Sequence, residues 1–193
     1  LCDEAKQAIY DAADVLSHAK EYMLLYLPLP YAVEQRIYLD NKPIYYMEGE
    51  TTREYYPAFS VEGELYMIKD TLKKCTQVTS KLVGELYFLR GYTKSHELSP
   101  EGQCVLMSFL TVQTGRDSVL DMLERFVFDY LCQYPELDAT AERALIRTGC
   151  HKVILYYITH SETLMADEEA VNLLLERADR EEVTAYMKRY SLE

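Results

Sequence analysis

Four histidines, five cysteines and 32 carboxylates are the side chains from which this 193-residue chain would build a metal site or a nucleophile. A helical metal centre needs ligands one turn apart on one face, in patterns such as HxxxH or ExxH. His18, His96, His151 and His160 form neither, so no metal and no cofactor is expected. His151, on the apolar face of its helix, reads as a buried, hydrogen-bonded core residue. A nucleophilic serine would stand in a GxSxG elbow, and a reactive thiolate in an electropositive setting. The elbow is absent, and the nearest approach to the thiolate is Cys150 beside His151 and Lys152. Successive helical residues point about 100° apart, so that thiol and imidazole do not face each other. The seven glycines form no phosphate cradle before a helix.

One spacing does fit a helical enzyme. Arg90-Gly-Tyr-Thr-Lys-Ser-His96 sets an arginine and a histidine with five residues between them. The spacing resembles that of HEPN-type ribonucleases, and the resemblance implies a ribonuclease or toxin in which Arg90 and His96 serve cleavage at an RNA 2′-hydroxyl. Two departures weigh against it: Gly91 follows Arg90 where a polar residue is expected, and a chain of net charge −12 repels a phosphate backbone.

A different chemistry, that of recognition, is suggested by KPIYYMEGETTREYYPAFS, Lys42 to Ser60. Ten of the 18 tyrosines fall at or before Tyr66, and here Tyr45, Tyr46, Tyr55, Tyr56 and Phe59 lie among Glu48, Glu50 and Glu54. Tyrosine combines an apolar ring with a polar tip and is enriched at protein interfaces. These five aromatics are the candidate binding residues, and acids around an aromatic platform favour a basic or amphipathic peptide. The structural alternative is that they plug one end of a helical core.

The elements that must position these residues are helical. Ala5, Ile9, Ala12, Leu16, Ala19, Met23 and Tyr26 are spaced 4,3,4,3,4,3 and predict a first helix that ends at LPLP, Leu27 to Pro30. Leu65, Ile68, Leu72, Cys75, Thr79, Leu82, Leu86 and Leu89 predict a second from about Val61 to Arg90, stopped by Gly91. Its large stripe suits the small-residue stripe of the first, so the two are expected to pack together, joined by a Tyr-rich insert over 31–59. Within the insert, RIYLD and PIYYM read as a hairpin, with a short helix opened by Pro30 as the alternative. Further helices are expected from Ser99-Pro100 with an interruption at Gly115, from Asp117 to Tyr134-Pro135, from Asp138 to Thr159, and from Asp167 to Tyr190. The whole is an all-α bundle of five or six helices in one domain. No fixed-period self-similarity is evident, so a regular repeat array is not expected.

Composition supports this class: 49% hydrophobic and 27% charged residues are ordinary for a globular domain. No apolar run reaches the length of a membrane span, and the acidic balance predicts neither nucleic-acid nor membrane partners. Dispersed, odd-numbered cysteines without a CxxC point to a reducing, intracellular, cytoplasmic compartment. Cys75, Cys104, Cys132 and Cys150 read as small hydrophobes among apolar helical residues. The chain opens on Leu1, which predicts a domain excised from a longer protein. The expected function is a non-catalytic protein-interaction or scaffolding domain, with self-association as a homo-oligomer and the ribonuclease as alternatives.

Overall fold

The computed structural model describes residues 2–13, 28–40, 43–48, 51–77, 82–111, 117–162, 168–177 and 180–189. Among them run ten α-helices and one hairpin: α1 Asp3–Ala13, α2 Tyr31–Leu39, β1 Ile44–Glu48, β2 Thr51–Tyr55, α3 Val61–Gln77 and α4 Leu82–Ser95. There follow α5 Pro100–Ser108, α6 Asp117–Gln133, α7 Ala139–Thr148, α8 His151–His160, α9 Glu168–Arg177 and α10 Arg180–Arg189. The all-α bundle is therefore formed. It has more helices than expected, because the predicted helices over 61–90, 138–159 and 167–190 are each two, and α2 is a further one.

The divisions have local causes. Between α7 and α8 the break is Gly149, at φ +66°, where the chain enters the left-handed region open to glycine; its N–H bonds to the carbonyl of Ile146. The break shifts the phase of the stripe, so His151 is not the core residue expected: its side chain is 57% exposed. Gly91, by contrast, does not stop a helix. It lies inside α4, where an added Cβ would overlap the ring of Tyr56. The expected interruption at Gly115, and the junctions at 78–81 and 178–179 where the sequence predicts single helices, lie outside the described residues.

The insert begins as a helix, then becomes the hairpin. Pro30 stands at the N-cap of α2, so RIYL is helical and does not form a strand. The strand over IYYME pairs with TTREY, antiparallel, with Tyr45 opposite Glu54 and Tyr46 opposite Arg53. Buried Pro43 precedes β1, a position compatible with its missing donor.

The helices stack in two layers. One layer runs α2, α3, α5, α7, α9, each packed on the next; the other runs α4, α6, α8, α10 in the same manner. The core between them holds Met67, Ile68, Leu72, Cys75, Phe88, Leu89, Leu106, Met107, Leu123, Val127, Leu145, Ile146, Val153 and Ile158. The neighbours packed most closely on α3 are α2, α4 and α5, while Ile9 of α1 joins a small separate cluster with Leu29, Val33, Ile37 and Phe59. The rest of the first apolar stripe, 14–26, lies outside the described residues.

This stack is a repeat, contrary to the expectation of none. Ser60-Val-Glu-Gly-Glu-Leu-Tyr-Met-Ile, Ser99-Pro-Glu-Gly-Gln-Cys-Val-Leu-Met and Asp138-Ala-Thr-Ala-Glu-Arg-Ala-Leu-Ile open α3, α5 and α7 at intervals of 39 residues. The shared pattern is a cap, a small residue three places on, glutamate or glutamine at four, and paired apolar residues at seven and eight. Each position has a job. Ser60 and Ser99 accept from the N–H groups of Gly63 and Gly102, and Asp138 accepts from Thr140.

The residue at four is buried and reaches forward to the next cap. Glu34 in α2 accepts from the N–H and hydroxyl of Ser60, at 2.6 and 2.7 Å. Glu64 accepts from the N–H of Ser99 at 2.9 Å and from its hydroxyl, and Gln103 accepts from the N–H of Asp138 at 2.9 Å. Where the cap is anionic the acceptor is a neutral amide, which avoids two carboxylates in one buried site. Glu34 and Glu64 lie where a Cβ on Gly63 and Gly102 would be, so the small residue at three makes room for the rung. Since Ser99 follows α4 and meets the first turn of α3, α3 and α4 must run antiparallel, and the 39-residue unit is a helix pair.

A second clip closes each pair. Tyr92 accepts from the N–H of Phe59, and Tyr130 from the N–H of Leu98, both at 3.2 Å, so the end of the second helix is tied to the entrance of the first. In the third unit Tyr157 occupies the corresponding place, its buried hydroxyl directed at Leu137 N–H and Ser161 but, among the described residues, without a hydrogen bond of ordinary geometry. Burial raises the pKa of all three phenols, and the nearby rung carboxylates add to the shift.

Candidate functional site

The stack divides the five candidate aromatics. Tyr56 is buried, edge-on to Phe88 at 5.2 Å, with its ring over Gly91. Phe59 is half-buried, stacks on Phe88 at 6.2 Å and packs against Tyr92 at 5.3 Å. YPAFS, Tyr56 to Ser60, and YPELD, Tyr134 to Asp138, are equivalent lead-ins to α3 and α7. Tyr56 and Phe59 are thus parts of the stack. Tyr55 is half-buried, the side chain of Tyr46 lies outside those described, and Tyr45 is 59% exposed.

Exposed Tyr45 has a neighbour that sequence reasoning missed. Tyr87, on α4, is 55% exposed, and its hydroxyl donates to Glu54 of β2 at 3.4 Å; Tyr56 reaches the same carboxylate at 3.5 Å. Glu54 raises the pKa of Tyr87, with a smaller contribution from Tyr45, so the three groups form one cluster. Tyr87 falls out of phase with the apolar stripe, a signal for an outward-facing aromatic, but nothing in the chain order links it to a hairpin 33 residues earlier.

Beside this cluster a cleft of 850 Å³ opens between α4 and α6 on the outer layer. Leu86, Met122, Phe126 and Phe128 give it an apolar floor, while Arg90, Asp121, Arg125 and Asp129 rim it. Phe128 also borders a shallower 920 Å³ depression with Leu155, Tyr156 and Ala185, so the apolar surface continues over α6, α8 and α10.

Arg90 and His96 have separate occupations. The guanidinium of Arg90 is ion-paired with Asp129 at the rim of the outer cleft. His96 lies beyond the end of α4, its ring tilted against that of Tyr92 at 4.8 Å. Its Nε2 contacts the Tyr56 carbonyl, which only accepts, so Nε2 carries the proton. The two side chains line different clefts, His96 facing one with Glu64, Ser99 and Gln103.

Elsewhere, His151 Nδ1 donates to Glu182, 1% exposed, at 3.1 Å and ties α8 to α10. Among the described residues no group of three or more histidine, cysteine or carboxylate side chains is placed to hold a metal ion. None of the described helices is long and apolar enough to cross a membrane. Burial pushes the Cys150 thiol up to about 11, and it donates to Glu124 at 3.3 Å. Cys75 is buried; Cys132 is exposed rather than packed among apolar residues, its sulfur 2.9 Å from Tyr156 Oη. Iodoacetamide at neutral pH is expected to modify Cys2 and Cys132 well before Cys75 and Cys150, as read by peptide mass spectrometry. Early labelling of Cys150 would contradict its assignment as an inert thiol.

Models of known protein families, curated proteins and solved structures were all compared with the chain, and none matches it.

Proposed function

We propose that the chain is a non-catalytic protein-interaction or scaffolding module that binds an amphipathic protein segment on the outer layer of its stack. The observation that carries this reading is the continuous aromatic and apolar cleft between α4 and α6, on a scaffold whose rung acceptors, Glu34, Glu64 and Gln103, are engaged with helix caps. Stacked helix pairs commonly present extended surfaces of this kind to protein ligands. A floor of large apolar side chains with a charged rim suits a segment that buries one face and keeps the other wet.

The test is capture from an extract by the parent chain and by a Met122→Glu variant, which places a charge on the half-buried floor of the cleft. A partner retained by the parent, lost by the variant, with melting temperatures within a few degrees, supports the reading; equal capture by both removes the cleft from it. RNA incubated with the purified chain, with Arg90→Ala and with His96→Ala is expected to remain uncut in all three. Cleavage by the parent that either variant abolishes would put the ribonuclease in its place. Sedimentation at several concentrations is expected to give one monomeric species.

A further inference from the structure

Glu54 stands at the mouth of the outer cleft with an unusual set of neighbours. Its carboxylate is met by the hydroxyls of Tyr87 and Tyr56 at 3.4 and 3.5 Å, long contacts, and no cationic side chain among the described residues is paired with it. Inside the cleft the charges balance: Arg90 is held by Asp129, and Arg125 lies one turn from Asp121 on α6. Among the described residues the Glu54 carboxylate is therefore a charge of this surface without a cationic partner, in a chain whose net charge is −12. The exposed rings of Tyr45 and Tyr87 flank it.

A carboxylate beside two solvent-facing phenol rings offers a cation both an ion pair and ring faces, and offers an anion repulsion. We propose that Glu54, Tyr45 and Tyr87 anchor an arginine or lysine side chain of the bound segment, whose apolar residues continue over Leu86, Met122 and Phe128 in the cleft. The assignment rests on the interaction reading above and adds the chemistry of the ligand. Across the hairpin Tyr45 is paired in register with Glu54, so the strand geometry fixes two of the three groups relative to each other. The third, Tyr87, comes from α4 and joins hairpin to cleft.

Two fluorescein-labelled 18-residue helical peptides test this, each with leucine on one face and either arginine or glutamate on the other, titrated into the full chain and read by anisotropy. The arginine peptide is expected to bind and the glutamate peptide not. Glu54→Gln is expected to weaken the arginine peptide about fivefold, and Tyr87→Ala similarly, the scale of a partly exposed ion pair with a ring contact. Glu176→Gln, an exposed acid on α9 in the other layer, is expected to change it less than about twofold. Equal losses for Glu54→Gln and Glu176→Gln would show attraction by the overall field and overturn the anchor. So would preference for the glutamate peptide, or indifference to Glu54→Gln. Binding that is lost in Met122→Glu yet unaffected in Glu54→Gln would remove the anchor and leave the cleft. Failure of both peptides, with partner capture insensitive to Met122→Glu, would remove both.

Discussion

Glu64→Ala is expected to lower the stability of the chain by about 3 kcal/mol, because it strands the N–H and hydroxyl of Ser99 at a buried junction. For a domain of this size that is a fall in Tm of roughly 6–12 °C by calorimetry. Glu64→Gln, in contrast, is expected to stay within about 1 kcal/mol of the parent, since an amide oxygen accepts from the backbone equally well and Gln103 does so one unit later. The pair of variants separates the rung from simple burial: equal losses would mean that the hydrogen bonds to Ser99 do not matter. The pH dependence has a definite sign. Burial, the largest influence on Glu64, raises its pKa above the ordinary carboxylate value, so the folded chain binds a proton more readily there than the unfolded chain. The carboxylate therefore costs stability at neutral pH, and the cost disappears as pH falls through the folded value towards the unfolded one of about 4.3. Measured as the difference between parent and Glu64→Gln, which cancels the other acids, stability should shift in favour of the parent over that fall.

Gly91→Ala should destabilise as well, by roughly 1–3 kcal/mol, although alanine is about 1 kcal/mol the better helix former. The reason is Tyr56, whose ring occupies the place of the missing Cβ and is itself confined by Phe88 and the core. Combined with Tyr56→Leu, Gly91→Ala should cost less than the sum of the separate losses, because the shorter side chain vacates that place. Denaturant unfolding of the two single variants and the double variant measures the coupling. Strict additivity would mean that Tyr56 and Gly91 do not share this contact.

Helix class, the cap at Ser99-Pro100 and the end of α6 at Tyr134-Pro135 were legible from local chemistry, because a proline or a capping hydroxyl acts on its own neighbours. The division of 138–159 was less so: Gly149 interrupts an apolar pattern that continues in a plausible phase on either side. The repeat is faint in the sequence for a physical reason. Its recurring positions are few, and at each of them chemistry is kept while identity changes: serine for aspartate, glycine for alanine, glutamate for glutamine. Leucine and isoleucine stripes, which attract the eye, serve every helix and mark no period. The candidate site was half legible. Tyrosine enrichment drew attention to the hairpin, but Tyr56 and Phe59 proved to belong to the lead-in of a helix pair, and Tyr87 joins Tyr45 and Glu54 through a tertiary contact with no sequence periodicity to reveal it.

The rungs also make the chain divisible. Each unit carries the acceptor for its successor and the cap for its predecessor, so a joint is complete wherever a glutamate acceptor meets a serine cap or an amide acceptor meets the aspartate cap. Removal of residues 60–98 would bring Glu34 to Ser99, with Gly102 beneath it, the same three groups that meet at Ser60 and Gly63. The length of such a molecule can change by whole units, by gene duplication or loss in steps of 39 codons, without the invention of a new joint. The hairpin, inserted at the first joint, and the outer cleft, formed by the second helices of two successive units, would then be the parts that distinguish one unit from its copies.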